Sequence, residues 1–97
     1  MDKLIDQLNF IYNNINAAQQ LKGALSMSDC RHFVISVDMI NDLLTQPKTM
    51  EDRHRAAFDT IEKTCQVMQK QGVFSLIGST QLINALDMIR MHMSLSK

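Results

Sequence analysis

Motif-forming residues are scarce in this chain of 97 residues. The three glycines, Gly23, Gly72 and Gly78, are too far apart to form a Gly-x-Gly-x-x-Gly turn, and none stands in a phosphate-loop pattern. The two cysteines, Cys30 and Cys65, form no Cys-x-x-Cys pair, which excludes a common zinc-site spacing. Glu51 and Glu62 are the only glutamates, and Pro47 is the only proline. No run approaches the ~20 apolar residues that span a bilayer. Neither sign of charge is in excess, because ten Lys and Arg balance ten Asp and Glu. A nucleic-acid binder concentrates basic side chains to release counterions from phosphate, and this composition does not. These absences point away from an enzyme, a cofactor, a membrane or nucleic-acid partner and a small-molecule substrate.

What is present is apolar, helix-forming sequence. Apolar residues make up 45% and charged residues 21%, so the chain reads as globular rather than disordered. Its length suits one domain, 1–97. A chain of this size buries roughly 60–70% of its unfolded surface, enough to fold without metal or disulfide. The opening MDKLIDQLNF is amphipathic at once and does not read as an apolar leader. Two free thiols in a reducing, cytoplasmic setting are the simplest expectation. Spacing alone leaves open whether Cys30 and Cys65 meet.

Apolar residues recur at helical spacing in four segments. The pattern predicts an all-α fold, a compact antiparallel four-helix bundle with helices over about 2–22, 29–45, 50–71 and 79–95. In the first, Leu4, Leu8, Ile11, Ile15 and Ala18 make a core stripe joined by Ile5 and Tyr12, and Gly23 follows as a terminator. Ser28 is placed to cap the second, with Asp29 beside the positive helix end. Its main face is Cys30, Phe33, Val34, Val37, Ile40 and Leu44. The run Gln46-Pro47-Lys48 breaks the chain. Thr49, with Asp52 three residues on, is the expected cap of the third helix. There Met50, His54, Ala57, Phe58, Ile61, Cys65 and Met68 share a face. Gly72 ends it, and residues 73–78 read as a core plug or as an early turn of the last helix. Ser79 or Thr80 would cap that helix, whose core face is Leu82, Ala85, Leu86, Ile89 and Met93.

Candidate chemistry is thin. Glu51-x-x-His54 has the spacing of a bundle di-iron motif, but such sites use two copies and two further glutamates. An acidic residue at a helix start beside a core histidine is the plainer reading. Cys30, His32, His54, Cys65 and His92 include the main zinc-ligand types, yet Cys30-x-His32 does not put both on one helix face. On core stripes, Cys30 and Cys65 act as small hydrophobes.

The informative feature is surplus apolar surface. Phe10 and Leu21 (with Ala17), then Ile35, Met39 and Leu43, then Met88, Met91 and Leu95 fall off the core faces. Eight methionines suit an adaptable contact surface. The expected function is therefore a non-enzymatic interaction module, an adaptor, chaperone-like or inhibitor protein of bacterial or phage type, with a protein partner that is either self or heterologous. The alternative is a homodimeric DNA-binding regulator. Residues 61–93 resemble a degenerate helix-turn-helix, with Gly72-Val73 at the turn, Gln81, Asn84 and Arg90 toward bases and Arg53, Arg55 and Lys70 toward phosphates.

Overall fold

The computed structural model describes residues 2–23, 25–46 and 49–95, with Asp2 and Leu95 described by backbone alone. It holds four helices: α1 (Asp2–Lys22), α2 (Met27–Thr45), α3 (Asp52–Lys70) and α4 (Leu76–Leu95). They form an all-α four-helix bundle, and the connections between neighbours are short. Pro47 and Lys48, read above as the chain's break, lie outside the described residues.

Helix ends follow local hydrogen bonding. Gly23 adopts φ 62°, a left-handed conformation that suits glycine, and its N–H donates to the Gln19 carbonyl at 2.8 Å. The Gln19 side chain then holds Leu25 from both sides. It accepts from the Leu25 N–H at 2.9 Å and donates to the Leu25 carbonyl at 3.1 Å, so Leu25 is buried. That clamp sets where α2 begins. The cap is Ser26, whose Oγ accepts from the Asp29 N–H at 3.0 Å, and not Ser28, which lies inside the helix.

The start of α3 also differs from the sequence expectation. Its N-cap is Glu51 rather than Thr49. His54 is buried, and its Nδ1 accepts from the Glu51 N–H at 2.9 Å. A ring nitrogen thus satisfies a backbone donor at the helix mouth, where a glutamate commonly does so. At the other end Gly72 takes φ 74° and turns the chain toward α4. That helix begins three residues earlier than the sequence reading, because Ser75 Oγ accepts from the Gly78 N–H at 3.0 Å. The segment 73–78 is therefore divided. Val73 and Phe74 pack partly against the core, while Leu76 to Gly78 form the first turn.

The core matches the predicted stripes on three helices. Leu8, Ile11, Ile15 and Ala18 are buried on α1, and all five predicted core residues of α4 are buried. On α3 every predicted position from His54 to Met68 is buried. The second helix is rotated relative to expectation. Its buried arc is Phe33, Ser36, Val37, Ile40, Leu43 and Leu44. At about 100° per residue, Leu43 lies about 60° from Ile40 and Val34 about 120°. Leu43 is accordingly 5% exposed and Val34 41%, so Leu43 belongs to the core and Val34 does not.

Packing is uneven around the bundle. α2 lies closely along α3 and α1 along α4, whereas α3 and α4 approach each other least among the sequence neighbours. That unevenness creates the site.

Candidate interaction face

α3 and α4 run antiparallel. Ser79 hydrogen-bonds Gln69 near the turn, and Arg90 reaches Glu62 further along. Between these ties the helices stand apart and leave a groove of about 450 Å³. Leu82, Leu86, Phe74 and Cys65 supply its apolar surface; Gln66, Gln69 and Lys70 edge it on α3, and Thr80 and Ile83 on α4. Burial pushes the Cys65 thiol up to about 12 by desolvation, so it behaves as a small hydrophobe and not as a nucleophile.

Arg90 divides this side of the bundle. Its guanidinium pairs with Glu62, donates to Asp87 Oδ1 at 2.6 Å and lies 5.5 Å from the centre of the Phe58 ring. Beyond it lies a second, more polar hollow of about 340 Å³ bordered by Met50, Arg55, Asp59 and Met93. Arg90 is thus occupied as a clasp between α3 and α4.

The two further arginines of the DNA alternative each lie beside a carboxylate. Arg53 pairs with Glu51 at 3.0 Å and Arg55 with Asp52 at 3.9 Å. Gln81 and Asn84 are exposed on α4.

One end of the bundle is unusually apolar. The α1 C-terminus, the α2 N-terminus and the α3–α4 turn meet there, with Lys22 Nζ bonded to the Gln71 carbonyl. Leu21, Met27, Leu76 and Ile77 are each between 73% and 91% exposed. Large aliphatic side chains this open are unsatisfied hydrophobic surface. Leu76 and Ile83, seven residues apart, share a line on the outer side of α4. Ile83 also borders the groove, so this apolar line of α4 runs from the end of the bundle to the groove's edge.

The predicted contact residues do not all converge there. Leu21 belongs to the apolar end. Met91, at 66% exposure, lies on the outer side of α4, and Ile35 is exposed on α2. Phe10 and Met39 pack partly against the core, Met88 is half-buried, and Leu43 is a core residue. The side chain of Leu95 lies outside the described residues. Met27, Leu76, Ile77 and Ile83 were not anticipated. Reading Ser75 as the cap would have placed Leu76 and Ile77 in an exposed first turn.

Among the described residues no three His, Cys, Asp or Glu side chains converge as a metal set. Cys30 and Cys65 are both free thiols. No helix of the described residues is long and apolar enough to cross a membrane. No protein-family model, curated protein or solved structure matches the chain.

Proposed function

We propose that this chain is a non-enzymatic protein–protein interaction module, of adaptor, chaperone-like or inhibitor type, that works by burying the α3/α4 groove and the adjoining apolar end against a partner. The observation that carries this reading is the near-complete exposure of Leu21, Met27, Leu76 and Ile77 at one end. Burial of one such side chain contributes about 1.5–3 kcal/mol, so covering even part of this end drives association. Balanced charge removes any net electrostatic barrier to a second copy and equally admits another protein. A reducing, cytoplasmic setting belongs to the same reading, since both thiols are free.

The test compares the native chain with Leu76→Asp, Ile77→Asp. Both positions are open to solvent, so circular dichroism is expected to stay unchanged. Light scattering across a dilution series reads self-association, and capture by the immobilised chain reads a heterologous partner. The native chain is expected to associate by one of these routes and the variant by neither. Association that survives the double change sinks the reading.

A further inference from the structure

We draw no further inference here: the strongest candidate, the apolar groove between α3 and α4 together with the exposed end at Leu21, Met27, Leu76 and Ile77, is an unpartnered apolar face, and nothing in the structure shows what covers it.

Discussion

The close α1–α4 and α2–α3 seams and the open α3–α4 seam are built from different side chains at facing positions. The close seams draw on fully buried aliphatics such as Ile11, Ile15, Ile40, Ile61 and Ile89. Their branched side chains leave no polar end that must reach water, so the helices can approach until the space is filled. The open seam meets through Gln66, Gln69 and Lys70 on one side and Ser79 and Thr80 on the other. Gln69 and Ser79 hydrogen-bond each other and Arg90 pairs with Glu62, and between these two polar ties Cys65, Leu82 and Leu86 face the groove. A bundle can therefore be closed on some sides and receptive on another without any change of fold.

That contrast is sharpest in core truncation. Ile89→Ala, at a fully buried position of α4, should destabilise by about 3–4 kcal/mol, the middle of the range for such changes. Leu86→Ala, one turn away on the groove side of the same helix, should lose less, about 2 kcal/mol, because the space it leaves joins the groove and admits water. Urea titration measures both. Equal losses would mean that the groove is closed in solution.

The Arg90 clasp tests the second half of the contrast, the part held by polar ties. Arg90→Ala removes two partly exposed ion pairs and a ring contact, and a loss of about 1–2 kcal/mol is expected. It should also join the two hollows and loosen α3 from α4, seen as faster amide exchange on those helices than on α1 and α2. A larger loss than Ile89→Ala would reverse the ranking of the seams.

How much of this was legible in the sequence depended on whether the signal lay within one helix. The α4 core face could be read because Leu82, Ala85, Leu86, Ile89 and Met93 repeat with the helix period, and all five are buried. His54 could be placed in the core by the same logic. Its role as acceptor at the helix mouth could not, since that bond depends on Glu51 turning its N–H inward. The second apolar faces were legible as facts about each helix but not as surfaces. Periodicity shows that Phe10, Met39 and Leu43 lie off the main stripe and is silent on which neighbour covers them. The groove was not legible at all, because a gap is a relation between two helices. The apolar end was missed because the expected cap was Ser79 or Thr80, whereas Ser75 Oγ accepts from the Gly78 N–H and starts the helix earlier.

Caps give a smaller and cleaner comparison. Ser75→Ala should destabilise by about 1 kcal/mol, and Ser26→Ala by a similar amount. Ser28→Ala should change stability by less than about 0.5 kcal/mol, because Ser28 is exposed inside α2. If Ser28→Ala proved the costlier of the α2 pair, that helix would begin where periodicity alone suggested.

The smallest effect at neutral pH is expected at Cys65, on the surface of the groove. Its thiol holds its proton to about 12 in the folded chain, against 9.0 as the ordinary value. Below pH 9 folded and unfolded chains both carry that proton, and the group leaves stability independent of pH. Between pH 9 and 12 the unfolded chain releases it first, so stability falls as pH rises. Cys65→Ser should flatten that alkaline decline, measured by urea titration from pH 8 to 11. In native protein at pH 8, iodoacetamide should label the partly exposed Cys30 while Cys65 reacts only after unfolding. Labelling of both at one rate would show that the groove opens down to its apolar floor, and the contrast between receptive and closed sides of the bundle would then be one of motion rather than of packing.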